Sequence, residues 1–107
     1  SKQGRVEASI QYLSEALKKE TRPSVRAFTI ERLRLLHHQQ MQDIIEQRKL
    51  SLEQAADVKD LGRLTAGLEE PWGVGWVLSP DGMVRSRELE QREIDKRRTR
   101  ERYLLLR

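Results

Sequence analysis

The stretch that decides the fold is PSVRAFTIERLRLLHHQQMQDIIEQRK, residues 23–49. Apolar side chains recur through it at Val25, Phe28, Ile30, Leu33, Leu35, Leu36, Met41, Ile44 and Ile45, with no Gly or Pro between Pro23 and Ser51. Pro23 suits a first helical turn, where its missing N–H costs nothing, and Arg48 and Lys49 suit a last turn, where cations meet exposed carbonyls. The spacing predicts one helix over 23–49. At 1.5 Å per residue it is about 40 Å long, more than the width of a compact domain of this size. Such a rod needs companions.

Upstream, Val6, Ile10, Leu13 and Leu17 are spaced four, three and four apart, which is one face of a helix. Lys18 and Lys19 fall in its last turn, and Pro23 disfavours helical geometry at Arg22, so the two helices are separate. Downstream, Ser51-Leu52-Glu53-Gln54 reads as a capping box that opens a third helix. Its apolar positions are Leu52, Ala55, Val58, Leu61, Leu64 and Leu68, and Pro71 ends it. A one- or two-residue connection predicts that the second and third helices fold back on one another as an antiparallel hairpin.

After Pro71 the period changes to two, with Trp72, Val74, Trp76 and Leu78 on one face and Gly73, Gly75 and Val77 on the other. Ser79-Pro80-Asp81-Gly82 is a turn signal, so a β-hairpin is expected over 72–85. An isolated hairpin is marginal in water, so Trp72 and Trp76 are expected to pack on the helices or on another subunit. Ser86 then caps a last helix from Arg87 to about Leu104. The fold expected is mainly α: a long antiparallel helical hairpin preceded by a short helix and followed by a small β-hairpin and a basic C-terminal helix.

The 107 residues include 36% charged side chains against a norm of about 25%, and 36% hydrophobic ones. A chain of this length buries only about two-thirds of its unfolded surface, so one domain is the starting expectation. Residues 1–95 are read as a helical oligomerisation domain and 96–107 as a basic arm. Without cysteine there is no disulfide framework, thiolate metal site or thiol chemistry. No apolar run approaches about 18 residues, and Ser1-Lys2-Gln3-Gly4-Arg5 lacks both an initiator Met and an apolar signal core. A soluble, cytoplasmic chain without membrane contact is therefore expected. The net +4 divides as +4 over residues 1–50, −4 over 51–84 and +4 over 85–107. This pattern suits either a tail that seeks phosphate or subunits that meet basic end to acidic middle.

The densest cluster of chemistry is Lys96-Arg97-Arg98-Thr99-Arg100-Glu101-Arg102. Lys96 and Arg100, and Arg98 and Arg102, are like charges one turn apart, which costs helix stability unless a polyanion relieves it. Lys96, Arg97, Arg98, Arg100 and Arg102 are thus candidates for non-specific nucleic-acid binding. The same run also fits a solvated or partner-facing helix, and the mixed charge does not decide between DNA and RNA. Phe28, Leu33, Leu36, Met41, Ile44, Leu61, Leu64, Leu68, Trp72 and Trp76 are candidates for an oligomer or partner interface.

His37 and His38 are adjacent, so they point about 100° apart and cannot chelate one metal from successive turns. His37 instead flanks the apolar seam between Leu33 and Met41, where protonation can tune an interface. Gly73-Val74-Gly75 lacks the third glycine and the following helix of a pyrophosphate cradle, and it is read as strand. Leu52 to Val58 has the flavour of a first helix-turn-helix element, but Lys59 stands where the turn glycine belongs and Gly62 comes too late. No P-loop, nucleophile elbow or zinc-protease motif occurs, so no catalytic residue, metal or cofactor is assigned.

From Pro23 to Arg107, the order of long helical hairpin, short β-hairpin and basic tail is similar to the oligomerisation core of phage small terminase subunits. Those proteins assemble into rings that present viral DNA to the packaging motor. The resemblance implies a homo-oligomeric DNA-packaging adaptor, with Leu50 to Leu68 as its second core helix and Lys96 to Arg102 as its basic tail. The helix-turn-helix module that precedes this core in many such proteins does not appear here, so no site-specific recognition is implied. Two functions are expected from the sequence. One is a non-enzymatic homo-oligomer that binds nucleic acid through its tail. The other is a scaffold that binds a partner protein's helix along the Leu33 to Ile45 seam.

Overall fold

A computed structural model describes residues 1–52 and 57–106. Among these the protein is mainly helical, with four α-helices and a two-stranded antiparallel hairpin that leads into the C-terminal helix. The chain divides into two compact units, Ser1–Ser51 and Leu52–Arg107.

The first unit is a helix pair. Helix α1 (Lys2–Lys19) is capped by Ser1, whose hydroxyl accepts from the Gly4 N–H at 3.1 Å. Helix α2 (Pro23–Leu50) begins with Pro23 in its first turn, as the sequence suggests. The three residues between them form a tight reversal. The Arg26 guanidinium donates to the carbonyls of Leu17 (2.7 Å) and Glu20 (2.8 Å), which satisfies groups that the end of α1 would leave open. Arg22 grips the Glu20 carboxylate through Nε (2.8 Å) and Nη2 (3.0 Å). Tyr12 and Leu13 lie beside Arg32 in one shallow groove, so the helices run antiparallel. At 18 and 28 residues, α2 outruns α1 by roughly 15 Å.

The helix paired with α2 within this unit is α1, and the expected third helix is helical, among the described residues, only from Val58 to Leu64 and not on to Leu68. Ser51 closes α2, its hydroxyl donating back to the Arg48 carbonyl at 2.7 Å. Gln54 and Ala55 lie outside the described residues. Among the described residues after Leu52, helical geometry is found in a 3-10 turn, Val58–Asp60, followed by one turn of α-helix, α3 (Leu61–Leu64). The capping box that starts it is Asp57 with Asp60. Asp57 Oδ1 accepts from the Lys59 N–H (2.8 Å), and Asp60 Oδ2 accepts from the Asp57 N–H (3.1 Å). The physical reason lies in the spacing. Apolar residues three apart match a 3-10 helix but drift about 60° per step around an α-helix, so they make no lasting stripe. Val58 is accordingly exposed while Leu64 is buried.

Strands β1 (Trp76–Leu78) and β2 (Val84–Ser86) pair Trp76 with Ser86, Val77 with Arg85 and Leu78 with Val84. The turn forms as read: Gly82 donates to the Ser79 carbonyl (2.9 Å) with φ +83°, and Asp81 Oδ1 accepts from the Met83 N–H (3.0 Å). The strand begins later than expected, because 72–75 is not strand. Gly73 and Gly75 have φ of +72° and +91°, so this segment coils into a loop. Helix α4 (Arg87–Leu105) follows β2 directly and packs on both strands.

Candidate nucleic-acid interface

The loop before β1 is built on one buried carboxylate. Glu70 is only 7% exposed. Its Oε1 accepts from the Trp72 N–H (3.0 Å) and the Ser86 hydroxyl (2.5 Å), and its Oε2 accepts from the N–H groups of Val74 (2.7 Å) and Gly75 (3.2 Å). Burial pushes this carboxyl up, but the hydrogen bonds from Ser86, Trp72, Val74 and Gly75 outweigh it and hold it below the usual carboxylate range. Ser86, fully buried, also accepts from the Glu88 N–H at 3.1 Å and so caps α4. One hydroxyl thus joins the Glu70 loop to the start of the basic helix.

Further contacts fix the first half of α4. The Arg87 N–H donates to the Gly75 carbonyl (2.9 Å) and its Nε to the Val74 carbonyl (3.2 Å). Arg92 lies 5.3 Å over the Trp72 ring and donates to Glu88 at 3.2 Å. Glu90 Oε2 accepts from the Ser79 hydroxyl (2.7 Å) and from Arg85 (3.1 Å), which also bridges to Asp81 at 3.0 Å. Trp76 donates its indole N–H to the Leu68 carbonyl at 3.1 Å. Both tryptophans are half-buried within their own unit.

From Asp95 to Leu106 every residue is exposed. The five basic candidates therefore sit on a helix that is rooted at one end and bare at the other. Lys96 is 3.7 Å from Glu93, with both side chains largely in water, so the pair contributes little. Arg97 reaches Glu90 Oε1 at 4.0 Å. Arg98, Arg100 and Arg102 form no ion pair among the described residues. A shallow depression on the helix is lined by Asp95, Lys96, Thr99, Arg100 and Tyr103.

No protein family, curated protein or solved structure matches the chain. The site therefore rests on its own chemistry.

The interface candidates are scattered in exposure. Phe28 is 66% exposed and Ile44 39%. Leu33, Leu36, Met41, Leu61 and Leu68 are half-buried, and Leu64 is buried. Tyr12, not singled out in the sequence, is 75% exposed and lies in the α1–α2 groove with Ala8, Ser9, Leu13 and Arg32. Phe28, Arg32 and Leu35 follow one another at spacings of four and three, so they share a face of α2 with that groove. His37 is exposed, and it is His38 that is buried, which corrects the placement of His37 against the apolar seam. Among the described residues no group of three or more His, Cys, Asp or Glu is arranged to hold a metal ion, and no helix is long and apolar enough to cross a membrane.

Sequence reasoning missed Glu70 altogether. The available signal was the pair Gly73 and Gly75, since glycine is depleted in strands and marks places where backbone turns or approaches closely. A loop there leaves N–H groups in need of an acceptor, and Glu70 is the nearest upstream carboxylate not facing water.

Proposed function

We propose that this protein is a non-enzymatic homo-oligomer that binds nucleic acid without sequence specificity through the basic half of α4. The observation that carries the reading is the set Arg98, Arg100 and Arg102, exposed on a rooted helix with no carboxylate partner among the described residues. Like charges at successive turns oppose the helix they stand on, and a phosphate backbone is the ligand that turns this repulsion into attraction. Self-association is supported by the exposed Tyr12, Phe28 and Leu35, which surround Arg32 on the first unit, in a chain short of core.

Each phosphate contact releases condensed counterions, so affinity for a DNA duplex is expected to fall steeply with salt. A chain lacking residues 96–107 is expected to lose most of that slope. Light-scattering mass, read alongside the salt titration, is expected to exceed that of one chain. Absent or salt-independent binding by the full chain removes the proposal.

The exposed Tyr12–Phe28–Leu35 face also favours a second reading, a scaffold that captures an amphipathic helix of another protein. Its sign is a monomer that ignores nucleic acid and binds a partner helix, with Phe28→Ser abolishing capture.

A further inference from the structure

The exposed half of α4 carries its cations in an order that a single phosphate strand does not call for. Successive helical residues turn by about 100°. Lys96 and Arg100 therefore form one row, and Arg98 and Arg102 form another about 200° away, on the opposite side of the same rod. Between the rows, one side carries Glu90, Glu93 and Glu101, with Arg97 among them and within 4.0 Å of Glu90. The other side carries Asp95, Thr99 and Tyr103, which together with Lys96 and Arg100 line the depression on the helix. The rod thus has two cationic flanks, an acidic back and a mixed front.

A helix lying along a phosphate backbone needs cations on one side only. Two opposed cationic flanks fit a ligand with phosphates on both sides. The major groove of B-form DNA is about 12 Å wide, and a helix with its side chains measures about 10–12 Å across. A helix seated there has a phosphate wall along each flank, base edges in front and solvent behind. The A-form groove of duplex RNA is too deep and narrow to admit it.

We infer that the exposed half of α4 inserts into the major groove of duplex DNA, with Lys96 and Arg100 on one phosphate wall and Arg98 and Arg102 on the other. This rests on the nucleic-acid reading above and gives it a ligand and a geometry. Glu93 and Glu101 face solvent, where they do not repel the phosphates, and Glu90 is held against the hairpin by Ser79 and Arg85. Arg97, on the back, contacts no phosphate. Thr99, whose hydroxyl donates to the Asp95 carbonyl at 3.0 Å, lines the front, and Tyr103 lies one turn beyond it. The Asp95 carboxylate is on the same side, where the only base-edge groups it can accept from are exocyclic amino hydrogens.

The test uses the full chain with a short mixed-sequence DNA duplex, the RNA duplex of the same sequence, and the DNA duplex methylated at guanine N7. Binding is read as a function of salt for Arg97→Gln, Arg98→Gln, Arg100→Gln and Tyr103→Ala, each checked for native helicity by far-UV circular dichroism. Arg98→Gln and Arg100→Gln are expected to lower the log–log salt slope by about 0.9 each, while Arg97→Gln leaves it unchanged. Tyr103→Ala is expected to weaken binding with no change of slope. The RNA duplex is expected to bind about tenfold or more weakly than DNA, and the methylated DNA to bind more weakly than the unmodified duplex. Equal slope losses for Arg97 and its neighbours, or equal binding of the RNA or methylated duplex, overturn groove insertion and leave non-specific binding standing. Failure of the full chain to bind any of the three duplexes at low salt overturns both.

Discussion

At the scale of the residue, Glu70 holds the C-terminal unit together. Its carboxylate satisfies three backbone N–H groups and a buried hydroxyl. Glu70→Gln keeps the shape but removes half of the acceptor capacity and the charge, and it is expected to destabilise the unit by about 2–3 kcal/mol. Both tryptophans of the chain flank this loop, so their fluorescence in a urea titration measures the loss directly. The same group sets an acid response. Because its folded carboxyl sits below the usual range, its contribution is complete above the unfolded value of about 4.3 and is lost as pH falls from there through the folded value. The wild-type tryptophan signal is therefore expected to weaken against acid below about pH 4, with Glu70→Gln already weak at neutral pH and flatter across that window. Glu20 obeys the same sign in the first unit, since its hydrogen bonds from Arg22 hold it at about 2. Gly73 offers a cleaner backbone test. A Cβ there meets nothing within 4 Å, yet φ is +72°, so Gly73→Ala is expected to cost about 1–2 kcal/mol through conformation alone, read by the same fluorescence titration.

At the scale of the element, α4 is two helices in one. Its first half has favourable Glu88–Arg92 geometry and a capping serine, and its second half sets cation against cation. Each like-charge pair one turn apart costs about 0.2–0.5 kcal/mol at low salt. Far-UV ellipticity is thus expected to rise when salt is added, and to rise further when duplex DNA is added. The double variant Arg98→Gln with Arg100→Gln, which removes one member of each pair, is expected to start high and respond little. This helix, α1, α2 and the Pro80–Gly82 turn were legible in the sequence because each is decided by neighbours a few residues away: periodic apolar positions, a proline, a glycine, a cap. The short α3 and the Glu70 loop were not. Leu52 to Leu68 offers apolar residues at a period of three, which resembles a helical stripe over two turns and fails over four. Trp72 to Leu78 offers an alternation that a strand shares with a loop whose glycines fall at every second place. What separated the outcomes was an acceptor at Glu70 and a hydroxyl at Ser86, sixteen residues apart in the chain and joined only in the folded unit. The basic run of the site and its two like-charge pairs were visible as spacing on the expected helix; that this half of α4 is exposed from Asp95 to Leu106 came only with the structure.

At the scale of the whole molecule the decisive quantity is how little apolar surface the chain removes from water. Among the described residues only Ile45, Leu64 and Val84 are buried hydrophobics, while Tyr12, Phe28 and Leu35 stand open on the first unit. A large aromatic side chain covered by a partner contributes about 1.5–3 kcal/mol, so a handful of such groups per subunit is enough to drive association at micromolar concentration once the cost of joining is met. The charge pattern favours the same outcome, because a +4 first half and a −4 middle attract between copies at distances that salt screens only in part. These two forces respond oppositely to ionic strength. If apolar contact dominates, raising the salt leaves the light-scattering mass of the assembly unchanged or higher, and Phe28→Ser with Tyr12→Ser reduces it to that of one chain. If charge dominates, added salt dissociates the assembly and the double variant behaves as the wild type. The exposure of Phe28 and Tyr12 places the weight on apolar contact, so the expected result is a salt-resistant oligomer that the double variant splits. DNA binding by that monomer is then expected to keep its salt slope per chain, since Lys96 to Arg102 lie on the other unit, but to lose apparent affinity, because linked copies hold several arms at one duplex and raise the effective concentration of each.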